Sequence, residues 1–231
     1  MSADDYKRRA AAEAVKLVEP GMTLGLGTGS TAAHFIALLA DRVLNGLSVC
    51  GVPTSEDTRR RATEAGIELI EPDETTAIDL AIDGADEADP RLNLIKGGGG
   101  ALLREKIVAA SARRFVVIAD ASKRVVELGA FPLPVEIDGF CWALTIQRVR
   151  ETLTEFGFEN ARVELRGSEA GPFVSDGGHL ILDCSLKRIH NPAGLERALG
   201  AIPGVVETGL FIGLAESAIF TGPDGVEIVA P

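Results

Sequence analysis

The sequence is poor in cysteine and histidine, which limits the chemistry that disulfides or metals can supply. Its 231 residues include only the cysteines Cys50, Cys141 and Cys184 and the histidines His34, His179 and His190. The cysteines are odd in number and far apart, as is typical of reduced, buried thiols of a cytoplasmic protein. The histidines lack ligand spacing such as HExxH. We therefore expect neither disulfides nor a built-in metal site.

Positive charge and long apolar runs are also scarce. The chain has 23 Lys and Arg against 34 Asp and Glu, a net charge of −11. This balance, without a dense basic cluster, argues against nonspecific binding to nucleic acid or to anionic membranes. No apolar run approaches the ~20 residues that span a bilayer, and the first 18 residues contain no signal-peptide core. With 46% hydrophobic residues, the chain is expected to be globular.

Hydrophobic periodicity predicts an alternation of strands and helices over the first 130 residues. The predicted strands are 22–26, 47–52, 67–70, 77–82 and 115–119, and helices are predicted at 31–43, 56–65 and 101–114. Such alternation is typical of a mostly parallel sheet with helices on both faces. We therefore predict a Rossmann-like α/β fold for this part of the chain.

The pattern changes after FPLP at residues 131–134. The next predicted elements are a strand at 135–137, an amphipathic helix at 142–156, strands at 161–165 and around the turn 176–178, a helix at 192–199 and a strand at 205–209. The order β-α-β-β-α-β predicts a smaller ferredoxin-like α+β domain at 131–205. A predicted hairpin around 223–225 is expected to return to the first sheet, so that 1–130 and 206–231 form one discontinuous domain.

A glycine turn, GTGST at residues 27–31, follows the first predicted strand. Glycines let the backbone approach a ligand closely, and the N-terminus of the following helix favours anions. The dinucleotide-binding fingerprint would place glycine where this chain has Ser30, and no acidic residue ends the second strand. A single phosphate group therefore fits better than a dinucleotide, and an ordinary N-capped turn is the alternative.

Three carboxylates crowd the segment DGADE, at Asp83, Asp86 and Glu87, directly after an apolar strand. Like charges at this spacing are costly unless a ligand or a cation uses them. They indicate a Mg²⁺ or Ca²⁺ site, or carboxylates that bind hydroxyl groups and relay their protons. An acidic surface loop is the remaining alternative.

Four consecutive glycines, residues 97–100, lie between Lys96 and a predicted helix that carries Glu105. They carry a large entropic cost, which is understandable if the backbone must pass against a ligand; a flexible linker is the alternative. This loop could present a cation and a base to one small molecule. Lys123 follows the strand at 115–119 and is either a further cation or an ordinary surface lysine. Because ligand sites form at the carboxyl ends of such strands, these segments are candidates for one pocket.

Together these segments resemble type A ribose-5-phosphate isomerase. They run in family order nearly end to end: GTGSTAAHF (27–35), DGADE (83–87), KGGGGALLREK (96–106), ADASK (119–123), FPLPVE (131–136), IPGVVETGLF (202–211) and GPDGV (222–226). The combination of DGADE with KGGG and REK is highly specific, whereas the GTGST turn is shared more widely. Leu103 stands where some members have threonine, and Gly100 replaces an alanine.

The resemblance implies an aldose-ketose isomerase of the non-oxidative pentose phosphate pathway, which interconverts D-ribose 5-phosphate and D-ribulose 5-phosphate through an enediolate. It implies a homodimer or homotetramer that works without metal or cofactor. Glu105 would be the catalytic base, and Asp83, Asp86 and Lys96 would also be catalytic. The implied substrate-binding residues are Thr28, Gly29, Ser30, Thr31, Asp83, Gly84, Ala85, Asp86, Lys96, Gly97, Gly98, Gly99 and Lys123.

The reaction assigns roles to these side chains. Glu105 is expected to move the proton between C2 and C1, and Lys96 to stabilise the enediolate oxygen. Asp83 and Asp86 would hold hydroxyls and assist ring opening, with the division of work between them left open. The phosphate would anchor the far end of the sugar and so orient C1 and C2.

Three functions other than isomerisation are alternatives for this sequence. A sugar-phosphate sensor would not need Glu105 to face its ligand. An enzyme of CoA transfer or amino-sugar phosphate deamination shares the glycine turn, but deamination would call for a histidine near the carboxylates. An NAD-dependent dehydrogenase is disfavoured by Ser30.

Overall fold

The computed structural model describes residues 2–231, and within them the chain forms six α-helices and sixteen strands. The helices are α1 (Ala3–Ala14), α2 (Ser30–Leu44), α3 (Glu56–Glu64), α4 (Leu102–Ser111), α5 (Trp142–Glu155) and α6 (Pro192–Gly200). The strands are β1 (Thr23–Leu26), β2 (Cys50–Pro53), β3 (Glu68–Leu69), β4 (Leu80–Asp83), β5 (Glu87–Ala88), β6 (Leu94–Ile95), β7 (Phe115–Asp120), β8 (Leu133–Ile137), β9 (Arg162–Leu165), β10 (Gly167–Ser168), β11 (Gly171–Pro172), β12 (Leu180–Ser185), β13 (Val205–Thr208), β14 (Leu210–Phe211), β15 (Ser217–Gly222) and β16 (Gly225–Val229). None of the helices within residues 2–231 combines the length and the hydropathy that crossing a membrane requires.

Side-chain caps explain where several helices begin. Ser2 and Asp5 form a capping box at the start of α1, in which each side chain accepts a backbone N–H of the other residue. Ser55 accepts the N–H of Thr58 at the start of α3. Asn191 caps α6, whose first residue is a proline with no N–H to satisfy.

The chain divides into two compact units. The first comprises the chain up to Ala85, Arg104–Arg124 and Gly213–Pro231, and the second comprises Asp86–Leu103 and Val125–Ile212. This division differs from the boundaries predicted at 131 and 205, because β6 pairs with both β5 and β14 in a three-stranded antiparallel sheet of the second unit. Strands of two residues are too short to show periodicity in a sequence.

A mixed, mostly parallel seven-stranded sheet organises the first unit, in the order β16-β15-β7-β4-β1-β2-β3. All neighbours are parallel except β15 and β16, which form the predicted C-terminal hairpin. This hairpin joins the sheet through β7, with Ile219 opposite Ile118. The mostly parallel sheet predicted from the alternating pattern is therefore confirmed.

Successive residues of β1 face opposite sides of this sheet. Leu24 and Leu26 are buried in an apolar cluster with Phe35 and Leu39 of α2. Gly25 faces the other side, where a Cβ atom would lie 2.5 Å from Cγ1 of Val108 in α4. Glycine is therefore required at position 25 for α4 to pack this closely on the strand.

The second unit contains a four-stranded antiparallel sheet in the order β13-β8-β12-β9. With α5 and α6, the strands of this sheet follow one another along the chain as β-α-β-β-α-β, which is the predicted order. Between β9 and β12 the chain also forms a short hairpin, in which β10 and β11 have two residues each. The core contains Ile146, Val149 and Leu153 of α5 against Leu182 of β12. Most of the apolar stripe of α5 thus serves core packing, as its spacing predicts, whereas Trp142 at the start of the helix is exposed.

Candidate active site

The parallel strands of the first unit bring several predicted site residues to one edge of the sheet. β1 ends at Leu26 before the glycine turn, β4 ends at Asp83, and β7 ends at Asp120 before Lys123. Leu26 pairs with Ile82, and Asp83 pairs with Val117. The carboxyl edge of such a sheet is where ligands of α/β proteins bind.

The glycine turn and Asp83 are in close contact. Gly27 donates its N–H to the carbonyl of Ile82 at 3.0 Å, and a Cβ atom on Gly27 would lie 2.3 Å from the carboxyl carbon of Asp83. The Oδ1 atom of Asp83 accepts the N–H groups of Thr28 at 3.1 Å and of Gly84 at 2.7 Å. Asp83 is only 4% exposed. One carboxylate oxygen therefore fixes the turn after β1 and the turn after β4 together.

A cluster of hydroxyl groups fixes the other side of the glycine turn. The Thr28 hydroxyl lies 2.7 Å from Oγ1 of Thr54 and 2.9 Å from Oγ of Ser55. The Thr58 hydroxyl donates to the carbonyl of Gly27 at 2.8 Å. Thr54, Ser55 and Thr58 were not predicted as supports of the turn, since only the folded sheet brings the end of β2 beside the end of β1.

The start of α2 has the features of an anion site. Its N-cap, Gly29, has φ of 100°, and among residues 2–231 no side chain caps the helix. The first N–H groups of this helix are therefore directed at the turn, where its dipole favours negative charge. Lys7 of α1 adds a cation, since its Nζ atom lies 3.0 Å from the hydroxyl of the exposed Ser30. Sequence reasoning missed Lys7, which stands 23 positions before its partner.

Glu105 lies on the buried face of α4. It is 6% exposed and shares that face with Leu102 and Val108, three residues away on either side, whereas Ile107 is 56% exposed. A carboxylate on an inward helix face is costly, which favours a functional role over a surface one.

The direction of α4 places Glu105 toward the carboxyl edge of the sheet. The residue after this helix, Ala112, pairs with Ile78 just before β4, so the helix ends at the amino edge and begins at the other. Val108 packs on Gly25 of β1. Glu105 lies three residues before Val108, about 4.5 Å along the axis nearer the edge where Gly27 begins the glycine turn.

An ion pair fixes the first turn of α4. Arg104 donates a hydrogen bond to Oε1 of Glu56 at 2.7 Å, which joins α4 to the start of α3. This hydrogen bond is the main reason that the pKa of Glu56 lies below its ordinary value. The pair is exposed, so it joins the two helices without contributing much to stability.

Lys123 ends a single 3-10 turn after β7. Asp120, at the end of that strand, is buried and accepts the N–H of Ser122 at 3.0 Å, which forms the cap of this turn. Lys123 itself is half-buried. It is therefore held at the same edge of the sheet as Asp83, through a local hydrogen bond that ADASK encodes directly.

The second unit carries Lys96, the predicted cation, at the end of β6. Lys96 is 2% exposed, and its ammonium lies 5.6 Å from the ring centre of Phe211, over the ring face. Its N–H donates to the carbonyl of Gly209 at 2.9 Å. Buried ammonium groups are rare, so the burial of Lys96 distinguishes it from an ordinary surface lysine.

Asp86 holds the glycine loop of the second unit. Its Oδ2 atom accepts the N–H of Gly98 at 2.8 Å, and a Cβ atom on Gly98 would lie 2.7 Å from Oδ1. Gly97 and Gly100 have φ of 101° and 84°, and the N–H of Gly100 donates to the carbonyl of Gly97. The four glycines therefore form a defined turn, and the linker alternative does not describe them.

The carboxylates of DGADE bind backbone N–H groups. Over residues 2–231, no group of three or more His, Cys, Asp or Glu side chains is arranged to hold a metal ion. Oxygen atoms of Asp83 and Asp86 instead accept backbone N–H groups. The crowding of DGADE is thus relieved by hydrogen bonds to the backbone.

These features define the class of the protein: an α/β enzyme with buried carboxylates and an uncapped helix start at the carboxyl edge of a mostly parallel sheet. The family model for ribose 5-phosphate isomerase A (phosphoriboisomerase A) matches residues 50–225. The chain belongs to this family.

Relatives resemble the chain over its full length. The ribose-5-phosphate isomerase A of Rhodopseudomonas palustris (strain BisB18) is 55% identical over 229 residues, with 99% of each chain covered. A solved D-ribose-5-phosphate isomerase in complex with phospho-erythronic acid is 41% identical, with a TM-score of 0.93 and complete coverage of both chains. Ribose 5-phosphate isomerase A from Methanocaldococcus jannaschii is 39% identical, with a TM-score of 0.91 and complete coverage of both chains.

Proposed function

We propose that this enzyme interconverts D-ribose 5-phosphate and D-ribulose 5-phosphate through an enediolate with a glutamate base, in the non-oxidative pentose phosphate pathway. The observation that carries the proposal is the buried carboxylate of Glu105, on the inward face of α4 and three residues before the residue that packs on β1. Isomerisation needs a base beside C2, and a carboxylate removed from bulk water suits that task. Family membership supports the same reaction.

Glu105 is the proposed base at the reacting carbons. It removes the proton from C2 of the aldose; the electron pair of that C–H bond forms the C1–C2 double bond, and the π pair of the C1 carbonyl moves onto O1 to give the enediolate. O1 then takes up a proton and O2 loses its own, an exchange that Asp83 and Asp86 are proposed to assist. As the C2 carbonyl forms, the electron pair of the double bond takes the proton from Glu105 at C1, which gives the ketose. The close packing of α4 on the sheet supports this role, because Val108 lies directly against Gly25 and restricts the helix that carries Glu105. Such restriction favours a fixed distance between base and carbon.

Lys96 is the proposed partner of the negative charge on the enediolate oxygen. Its ammonium is buried and faces an aromatic ring, so it is poorly hydrated and its interaction with a developing anion is stronger than in water. Asp83 and Asp86 are proposed to hold sugar hydroxyls and to assist ring opening. Each also holds one glycine segment through a backbone N–H, which couples substrate contact to loop conformation.

The phosphate group is proposed to bind at residues Thr28 to Thr31, with Lys7 as an additional cation. The hydroxyl of Thr28 is engaged with Thr54 and Ser55, so we assign the contact to the N–H groups of the turn and to Ser30. A related isomerase has been solved in complex with phospho-erythronic acid, which supports a small phosphorylated ligand. Gly84, Ala85, Gly97, Gly98, Gly99 and Lys123 complete the proposed set of substrate-binding residues.

The two units are proposed to have different tasks. The first is a Rossmann-like catalytic domain with helices on both faces of its sheet, as the packing of α2 and α4 against opposite faces of β1 supports. The second is ferredoxin-like and is proposed to form a homodimer or homotetramer through Phe140, Trp142 and Leu144, whose side chains are exposed. A cytoplasmic location is also proposed, and the free cysteines support it, although Cys184 alone is fully buried as predicted and Cys141 is exposed.

A direct assay tests the proposed function. Purified protein is incubated with ribose 5-phosphate after exhaustive EDTA treatment, and formation of the ketose is followed. We expect turnover that EDTA leaves unchanged. Binding of ribose 5-phosphate without turnover would favour a sensor. Activity that is lost with EDTA and restored only by Mg²⁺ would instead support the hypothesis that Asp83, Asp86 and Glu87 bind a metal ion.

A further inference from the structure

Arg166, which follows β9 in the second unit, contacts the backbone of the glycine loop. Its Nη1 atom donates to the carbonyl of Gly97 at 2.8 Å and lies 3.3 Å from the carbonyl of Gly98. These residues are about 70 positions apart in the sequence, and no motif pointed to Arg166. The contact connects the four-stranded sheet of the second unit to the glycine loop that follows Lys96.

Asp183 of β12 fixes the guanidinium of Arg166. The pair is bidentate, with Nε to Oδ2 at 2.9 Å and Nη2 to Oδ1 at 2.5 Å. Arg166 is 17% exposed and Asp183 29%, so the pair is largely removed from water. With Nε and Nη2 held by the carboxylate, the planar group directs Nη1 to the loop carbonyls, a geometry that lysine has no means to reproduce.

The Gly97–Gly98 peptide is held from both ends. Its carbonyl accepts from Arg166, and its N–H donates to Oδ2 of Asp86. The ring of Phe173 closes the far end of the loop, where a Cβ atom on Gly100 would lie 2.4 Å from the ring. The same ring lies 5.9 Å from the guanidinium of Arg166. Asp86, Arg166 and Phe173 thus define one loop conformation.

The peptide between Gly98 and Gly99 is contacted by only one of these three residues, Arg166, whose guanidinium faces the carbonyl of Gly98. In a planar trans peptide the C=O and N–H bonds point in opposite directions. Since the carbonyl of Gly98 faces the guanidinium, the N–H of Gly99 points away from it. A cation near the carbonyl also polarises the peptide, which makes this N–H a stronger donor.

We propose that Arg166, fixed by Asp183, is a positioning residue that orients the Gly98–Gly99 peptide so that the N–H of Gly99 donates a hydrogen bond to the substrate oxygen on which negative charge develops. This inference rests on the proposed isomerase function. Arg166 itself does not touch the substrate.

The test compares Arg166→Lys with Arg162→Lys, a matched control on β9 whose side chain is 73% exposed and paired with Glu164. Loss of one oriented donor of an oxyanion costs about 10²–10³-fold in kcat when the donor is removed outright, so its misorientation should cost at least about tenfold. We expect Arg166→Lys to lower kcat by that factor with KM changed less than about twofold, and Arg162→Lys to match the wild type. Asp183→Asn should reproduce the loss in part.

Hydrogen exchange provides a readout that does not depend on turnover. The amides of residues 97–100 should exchange faster in Arg166→Lys than in the wild type or in Arg162→Lys. Normal kcat in Arg166→Lys, or a lower kcat with unchanged exchange of these amides, would overturn the inference. If Arg166→Lys does not fold, Asp183→Asn decides by the same two measurements. An inactive wild type would refute the proposed function instead, and the exchange data would still show whether Arg166 holds the loop.

Discussion

Asp83 holds Thr28: the Oδ1 atom of the buried carboxylate accepts the N–H of Thr28 at 3.1 Å, from the end of one parallel strand to the turn after its neighbour. The same oxygen accepts the N–H of Gly84. Asp83 therefore has a structural task at the sheet edge in addition to its proposed contact with sugar hydroxyls. The two tasks are separable, because relaying a proton from a sugar hydroxyl requires the carboxylate, whereas accepting a backbone N–H does not.

Two substitutions of Asp83 are expected to separate these tasks. Asp83→Ala leaves the N–H groups of Thr28 and Gly84 without their acceptor and should lower the free energy of unfolding by about 2 kcal/mol. Asp83→Asn keeps a carbonyl acceptor and should unfold near the wild-type denaturant midpoint, yet lose about tenfold or more in kcat because it relays no proton. Urea unfolding and steady-state kinetics measure the two effects. Normal kcat in Asp83→Asn would leave Asp83 with a structural role only.

Lys7→Gln should weaken substrate binding and leave the chemical step nearly intact. Lys7 contacts Ser30 at the start of α2, where the phosphate is proposed to bind and where no bond changes during the reaction. Loss of one cation from a partly exposed anion site should raise KM about tenfold, with kcat changed less than about threefold. Lys16→Gln is the control, since Lys16 pairs with Glu13 on the surface. Equal KM values for the two variants would exclude Lys7 from the phosphate site.

Lys96→Met should have the opposite kinetic pattern. Methionine matches the length of lysine and retains the contact with Phe211, so the protein should fold. The charge that stabilises the enediolate oxygen is lost, and kcat should fall about 10²-fold or more with a much smaller change in KM. A change in KM alone would show that Lys96 binds the substrate and does not stabilise the enediolate.

The pH dependence of stability should reveal the buried thiol of Cys184. Burial in the second unit raises the pKa of this thiol to about 12 from its ordinary value of 9.0. The folded state thus keeps the proton that the unfolded state releases above pH 9. The contribution of Cys184 is complete below pH 9 and is lost as the pH rises toward 12, by about 1 kcal/mol at pH 10.

A comparison with Cys184→Ala isolates this contribution. Between pH 8 and pH 10 the wild type should lose about 1 kcal/mol more unfolding free energy than the variant, although the variant starts from a lower value because of its cavity. Chemical denaturation at the two pH values measures the difference. Parallel losses in both proteins would show that the thiol ionises normally in the folded state.

Elements with strong local signals could be predicted from the sequence, and short or distant ones could not. The apolar run of β7 and the hairpin of β15 and β16 were predicted because their own residues specify them. The two-residue strands β5, β6 and β14 were missed because they are too short to show a pattern, and because β6 and β14 pair across more than 100 positions. These missed strands account for the assignment of residues 86–103 to the second unit.

The candidate site shows the same distinction. Asp83, Lys96 and Glu105 were named from the sequence because carboxylates at a strand end and glycines before a helix are locally unusual. Lys7, Thr54 and Arg166 support the same segments but have ordinary sequence surroundings, so only the folded chain reveals their contacts. Residues of this kind contact partners that are far away in the sequence, and a local sequence pattern contains no information about such contacts.

The most direct test of the account is the activity of Glu105→Gln, measured together with its affinity for phospho-erythronic acid. Glutamine keeps the shape of the side chain on the buried face of α4 and removes the base. Glu64→Gln on the exposed face of α3 is the control. We predict that Glu105→Gln loses at least about 10²–10⁴-fold in kcat while binding phospho-erythronic acid as the wild type does. Near-normal turnover of ribose 5-phosphate by Glu105→Gln would contradict the account.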